Sequence, residues 1–167
     1  NNPRETRSVL LLHGYDETPV SHGHDIVLQQ SFVSGRRNHR MDPHPGRFCL
    51  LGNLSAEEMK REYLSAQIVV CPSAVENSPN SVAEGQLLGV PVAASRTGGI
   101  PDVVKDGVSG LLFEKGNIHE LAACVSRILT DKQLAKELSA SERETAAKLY
   151  NGENNYQKLI EIYQSIE

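Results

Sequence analysis

The sequence predicts an α/β domain built around a doubly wound parallel sheet. Two observations carry that expectation. Short apolar runs recur without polar–apolar alternation: SVLLLHG (8–14), RFCLLGN (47–53), QIVVCPS (67–73), VPVAAS (90–95) and LLFEKG (111–116). Strands buried on both faces read this way. Between residues 47 and 95 the runs alternate with helical segments, so each strand returns through a crossover and lies parallel to its neighbour. The arrangement is Rossmann-like, and such sheets bind ligands at the carboxyl ends of their strands.

The bulk composition agrees with one packed domain. The chain has 167 residues, 39% hydrophobic and 23% charged, enough to bury a core and too apolar for disorder. A net charge of −4 leaves no footprint for nucleic acid or an anionic membrane. No apolar run approaches the roughly 18 residues of a membrane span. Three cysteines stand far apart, with Cys71 and Cys124 in apolar patterns; buried thiols in a reducing compartment are expected.

The elements follow in order. SVLLLHG is a buried strand, and YDETPVSHGHD after it is rich in turn formers. DIVLQQSF (25–32) is expected as a short helix and FVSG (32–35) as a strand stub. RRNHRMDPHPG (36–46), with two prolines, reads as loop. SAEEMKREYLSA (55–66) is a helix. Ser55 and Glu58 form a capping box there, and Met59, Tyr63 and Leu64 share a face. NSVAEGQLLG (80–89) is a helix capped by Asn80 or Ser81 and ended by Gly89. TGGIPDVVKDGVSG is a loop with one helical turn, and Asp106-Gly107 is a turn. Three helices follow from Asn117: Ile118, Leu121, Ala122, Val125, Ile128 and Leu129 line the first, and Tyr156, Leu159, Ile160 and Tyr163 the last.

The informative stretch is CPSAVENSPNSVAEGQLLGVPVAAS (71–95), where Glu76 and Glu84 bracket a polar loop and a helix start. The loops after Leu51, Cys71 and Ala94 should open on one edge and bring together Glu76, the segment Asn77, Ser78, Pro79, Asn80, Ser81 and the turn Thr97-Gly98-Gly99. Amides at the start of a helix suit phosphate. A carboxylate one turn inside can accept from the vicinal hydroxyls of a ribose. Glu76 could face a second hydroxylated group beyond the phosphates. The order sugar, phosphates, ribose is that of a nucleotide sugar. The Gly98-Gly99 pair permits close backbone approach to a ligand. His22-Gly23-His24 matches no standard zinc spacing.

The pattern PSAVENSPNSVAEGQLLGVPVAAS, followed by TGGIPDVVKDGVSGLLF, resembles the carboxyl-terminal, donor-binding domain of the family-four retaining glycosyltransferases (glycosyl transferases group 1), which have the GT-B fold. The likeness runs over roughly 47–166. It implies the C-terminal half of a GT-B fold in a single nucleotide-sugar-binding domain over 1–167, with 1–46 atypical and 150–167 a C-terminal helix. It implies transfer of a sugar, of the hexosyl type, from a UDP- or GDP-sugar to a hydroxyl acceptor. The setting implied is surface polysaccharide, glycolipid or glycan synthesis, with a cytoplasmic location. An amino-terminal acceptor domain, expected to be missing from this chain, would complete the enzyme and make any contact with the inner membrane face. The fragment alone should not transfer sugar.

By the same resemblance Glu84 binds the ribose, and Glu76 is the catalytic residue, in contact with the donor sugar. The backbone of Asn77, Ser78, Pro79, Asn80 and Ser81 lines the sugar and phosphates. Gly52, Asn53 and Leu54 lie by the base, and Gly14 and His22 belong to the first phosphate loop. Neither a metal nor an organic cofactor is implied. The chain departs from the pattern in that loop, where Tyr15 and His22 stand in place of the family's Arg and Lys. Asn77-Ser78 replaces its Phe-Gly. An epimerase-like domain and a non-catalytic nucleotide-binding module are the alternative readings.

Overall fold

The structure, a computed structural model, describes the backbone of Ser8–His13, Asp25–Gln30 and Phe48–Leu50, and residues 54–166. Six strands form one sheet: β1 (Ser8–His13), β2 (Asp25–Gln30), β3 (Phe48–Leu50), β4 (Ile68–Cys71), β5 (Val92–Ser95) and β6 (Leu111–Phe113). Their order is β3-β2-β1-β4-β5-β6, and every pair is parallel. The chain winds outward from β1 in one direction and then, from β4, in the other. The switch point therefore lies between β1 and β4, where a doubly wound sheet opens a crevice at its carboxyl edge.

The segment DIVLQQ is a strand, not the short helix that its sequence suggests. Its residues pair on one side with β1 and on the other with β3, with Val27 opposite both Leu10 and Cys49. A short apolar run carries no period that separates helix from strand, and here pairing with β1 and β3 on either side makes it a strand. The expected strand stub at 32–35 and loop at 36–46 lie outside the described residues.

Helices α1 (Ala56–Ser65), α2 (Asn80–Leu88), α3 (Ile100–Val103), α4 (Ile118–Thr130), α5 (Lys132–Leu149) and α6 (Gly152–Gln164) complete the fold. Helix α1 starts with the expected capping box: Ser55 accepts from the Glu58 amide, and the Glu58 carboxylate accepts from the Ser55 amide at 2.8 Å. Such a cap is worth about 1 kcal/mol. Tyr63 is buried and Met59 half-buried, but Leu64 is exposed. One residue of advance turns a side chain about 100° around the helix, off the face that Met59 and Tyr63 share.

Strand β4 shows why both faces read as apolar. Ile68 and Val70 belong to a cluster with Leu121, Ile128 and Leu138 from α4 and α5. Val69 and Cys71 belong to a second cluster with Tyr63, Val82 and Ile100 from α1, α2 and α3. The continuous run IVVC is thus an alternation between two apolar layers. Gly85 sets how closely α2 approaches. A Cβ there would lie 3.3 Å from Val69 Cγ2 and 3.4 Å from Val92 Cγ2. Gly89 ends α2 in the left-handed conformation, φ +71°, as a helix C-terminus favours.

Two polar side chains are built into this core. Gln86, on α2, is fully buried and donates from Nε2 to Val103 O at 3.2 Å and Ser109 O at 2.9 Å. Glu142, on α5, is fully buried and accepts the Val92 amide on Oε1 at 3.0 Å. Cys71 is buried as expected; Cys124 is only half-buried. Among the described residues no helix is long and apolar enough to cross a membrane.

Candidate functional site

The loop after β4 begins inside the core and ends exposed. Ser73 is buried, Glu76 is half-buried, and Asn77 and Ser78 are exposed. Three contacts from the next strand's loop hold it. Ser95 Oγ donates to Ser73 O at 2.7 Å, Thr97 Oγ1 to Ala74 O at 3.4 Å, and the Gly99 amide to Glu76 O at 3.3 Å. The two loops are therefore one unit at the carboxyl edge of β4 and β5, as the strand order requires.

Gly98 and Gly99 are needed for this contact. Gly98 has φ +50°, and a Cβ on it would overlap the Glu76 carbonyl oxygen. A Cβ on Gly99 would stand 2.5 Å from Asn77 O. The close approach that the pair permits is thus to the chain's own acidic loop, where the sequence suggested approach to a ligand. Arg96 pins the far side of the turn, with Nη2 2.6 Å from Asp106 Oδ2 and Nε 3.2 Å from Glu114 Oε1. Asp106 also accepts the Leu112 amide at 2.9 Å, and the Asp106-Gly107 turn forms with Gly107 at φ +73°.

The Glu76 carboxylate is held from both oxygens. Oε1 accepts the Asn77 amide at 3.1 Å, and Oε2 accepts from Ser73 Oγ at 3.4 Å. The Ser73 hydroxyl also meets Cys71 Sγ at 3.4 Å. Burial pushes the Cys71 thiol above its ordinary range, so it stays a neutral packing group.

Helix α2 begins differently from the expectation that Asn80 or Ser81 caps it. Its N-cap is Pro79, which is buried and makes no side-chain cap. Asn80 already lies in the first turn, and its amide bonds to Ser78 O at 2.8 Å; the Ala83 amide bonds to Pro79 O at 3.0 Å. The amides of Ser81 and Val82 have no partner among the described residues. A proline has no side-chain acceptor, so these donors are left open beside the positive end of the helix dipole. Asp, Asn, Ser or Thr at the N-cap would have closed them.

Glu84, one turn further, is exposed. Its Oε2 accepts from the hydroxyl of Tyr63 at 3.0 Å, while its Oε1 has no partner among the described residues. The Tyr63 hydroxyl is also 3.1 Å from Ser81 O. Burial, followed by the charge of Glu84, pushes the Tyr63 pKa far above its ordinary value, so the phenol is a permanent donor.

Of the site residues expected from the sequence, the structure brings together Glu76, Asn77, Gly98 and Gly99, with Ser78, Pro79, Asn80, Ser81 and Glu84 following along the same loop and helix. Leu54 is half-buried just before α1, and no hydrogen bond ties it to that group. Gly14, His22, Gly52 and Asn53 lie outside the described residues. Sequence reading missed Tyr63 as a partner of Glu84, and missed Ser73 and Ser95. The signal available was a hydroxyl residue at the end of each of two apolar strands. A separate groove of about 460 Å³ lies at the opposite edge of the sheet, between Gln67, Pro91, Ile128 and Lys136. It is remote from the acidic loop. Among the described residues no three His, Cys, Asp or Glu side chains cluster as a metal site.

A parallel sheet that switches direction between β1 and β4, with an acidic loop and an open helix start on its carboxyl edge, places the domain among the Rossmann-like halves of GT-B proteins. The model of the family described as "Glycosyl transferases group 1" matches residues 45–145, and the chain belongs to that family. It is 31% identical over 100 residues to a sulfoquinovosyl transferase of Arabidopsis thaliana, covering 58% of this chain and 20% of that protein. Its fold matches sucrose-phosphate synthase from Thermosynechococcus elongatus with a TM-score of 0.75, at 21% identity over 97% of this chain and 46% of that one. It also matches Anabaena HepE, solved in complex with UDP, with a TM-score of 0.66 at 26% identity over 71% of this chain and 32% of that one. The chain thus spans a fifth to a half of the length of the proteins it matches here.

Proposed function

We propose that this chain is the donor-binding half of a retaining glycosyltransferase. The observation that carries the reading is the start of α2 at Pro79, where the Ser81 and Val82 amides, between Glu76 on one side and Glu84 on the other, have no partner among the described residues. The diphosphate of a nucleotide sugar sits on those amides, where the helix dipole favours negative charge. The free oxygen of Glu84 accepts from a ribose hydroxyl. Glu76, held by Ser73 and its own loop, faces the donor sugar. As the bond from anomeric carbon to phosphate oxygen breaks, the amides stabilise the leaving diphosphate and the Glu76 carboxylate stabilises the positive charge growing on the sugar. The carboxyl edge of the sheet holds the donor, with Gly14, His22, Gly52, Asn53 and Leu54 completing its lining. HepE, a relative in fold, was solved with UDP and with UDP-glucose, which supports a uridine donor.

A second domain binds the acceptor molecule and brings its hydroxyl to the donor in the cleft between the two, in the cytoplasm. The last helix supports that reading. Tyr156, Leu159, Tyr163 and Ile166 are all exposed at heptad-like spacing, an apolar stripe that the rest of a longer enzyme can cover.

Calorimetric titration with UDP, GDP and ADP tests the donor site. The chain is expected to bind one of them selectively. Glu84→Ala is expected to weaken that binding by about tenfold or more, the worth of charge-assisted hydrogen bonds. Incubation with UDP-glucose and acceptor is expected to give no product from this chain alone. Equal nucleotide affinity in the parent and Glu84→Ala would remove the reading.

A further inference from the structure

We infer that Tyr63 is a positioning residue for Glu84, fixing one carboxylate oxygen so that the other is presented to the ligand. The inference rests on the donor-site reading above and adds a residue from a different element. Tyr63 stands on α1, 21 positions before Glu84, and its ring is buried, 1% exposed, in the layer with Val69, Cys71, Val82 and Ile100. Only the hydroxyl reaches out of that layer, and it reaches two atoms of α2: Glu84 Oε2 at 3.0 Å and Ser81 O at 3.1 Å.

The phenol has one proton and the carboxylate has none, so the polarity of the Glu84 contact is fixed: Tyr63 donates and Glu84 accepts. Ser81 O lies in helix α2, where the amide four residues on, that of Gly85, is its helical donor, so the charged carboxylate is the stronger claimant on the phenol proton. An exposed glutamate samples several rotamers about three bonds. A donor mounted on a buried, immobile ring removes most of that freedom. The consequence is selective: Oε2 is occupied, and Oε1 is left without a partner among the described residues, aimed by the bond that its twin makes. A hydroxylated ligand then meets an acceptor already oriented, which raises affinity without any contact between ligand and Tyr63.

A hydroxyl that merely stabilised the fold would also be expected to bond here, so the test must isolate its action through Glu84. A double-mutant cycle does so, with UDP and GDP as probes and dissociation constants read by calorimetry on four proteins: the parent chain, Tyr63→Phe, Glu84→Ala and the double variant. Tyr63→Phe keeps the ring and its packing. In the parent background it is expected to weaken binding of the preferred nucleotide about three- to tenfold, less than the loss of Glu84 itself, because Tyr63 acts only by orienting that carboxylate. In the Glu84→Ala background the same change is expected to have almost no effect, because the carboxylate it positions is gone. Equal weakening in both backgrounds would assign Tyr63 a structural role and overturn the inference, as would full affinity in Tyr63→Phe. Two further outcomes strike the donor-site reading itself, and this inference with it: no binding of UDP or GDP by the parent chain, or no weakening by Glu84→Ala.

Discussion

Gly98→Ala is expected to destabilise the chain by about 3 kcal/mol or more and to abolish nucleotide binding at the carboxyl edge. Two effects add. Gly98 sits at φ +50°, where a side chain costs about 1–2 kcal/mol. A methyl group there would also overlap the carbonyl oxygen of Glu76, and neither partner is a side chain that can turn away. The 97–99 turn must lift off the acidic loop. That breaks the Gly99 amide bond to Glu76 O at 3.3 Å and releases the segment that orients the Glu76 carboxylate. Gly107 supplies the control. It too is left-handed, φ +73°, but a Cβ there meets nothing within 4 Å. Gly107→Ala should therefore show the conformational cost alone, about 1–2 kcal/mol, and bind nucleotide normally. Denaturant unfolding and UDP titration of both variants separate the two terms. If Gly98→Ala behaves like Gly107→Ala, the contact between the two loops is not what holds the site.

The second large effect concerns pH. Burial pushes the Glu142 carboxyl up to about 8, only partly offset by the hydrogen bond from the Val92 amide. Its Oε2 is buried with no partner among the described residues, so nothing compensates a charge there. In the unfolded chain the same group titrates near 4.3. Below that pH both states hold the proton, and folding is unaffected. Between about 4.3 and 8 the unfolded state loses its proton while the folded state keeps it, so stability falls as pH rises. Above about 8 both are ionised and the loss stops growing. At about 1.4 kcal/mol per pKa unit, the loss accumulates to about 5 kcal/mol at most. Glu142→Gln keeps an acceptor for Val92 and cannot ionise. It is expected to match the parent near pH 4.5 and to exceed it by a few kcal/mol at pH 8, in paired denaturant unfolding curves. Parallel pH profiles for the two proteins would show that Glu142 is not the group responsible.

Much of the fold was legible because its strands carry few ambiguities. IVVC and VAAS sit between helices with clear start and stop signals, the Ser55 capping box before one strand and Gly89 before the other. The order helix–strand–helix–strand leaves a parallel sheet as the only economical arrangement. DIVLQQ was misread because nothing local separates a short central strand from a short helix; the decision is made by β1 and β3 pairing on either side. The two glutamates, the polar loop and the glycine pair were legible as a group because the topology sends all their loops to one edge. Three features were not. The start of α2 falls one residue earlier than Asn80 or Ser81 as caps would require, since the chain turns at Pro79, whose side chain has no acceptor to cap the first amides. The role of Gly98 depends on which backbone crosses it, a contact between residues 22 apart in the chain. Tyr63 reads as an ordinary core residue on an amphipathic helix, and only the packing of α1 beside α2 brings its hydroxyl to Glu84.

The most direct measurement is amide NMR of the isotopically labelled chain titrated with UDP and, in parallel, with uridine. Uridine keeps the ribose and lacks the phosphates. With UDP, the largest shifts are expected at the Ser81 and Val82 amides, the open donors at the start of α2; with uridine, those two should stay nearly still. Shifts that fall instead around Gln67, Val90 and Lys136, at the groove on the opposite edge of the sheet, would contradict a phosphate site at the start of α2 and the donor-binding role built on it.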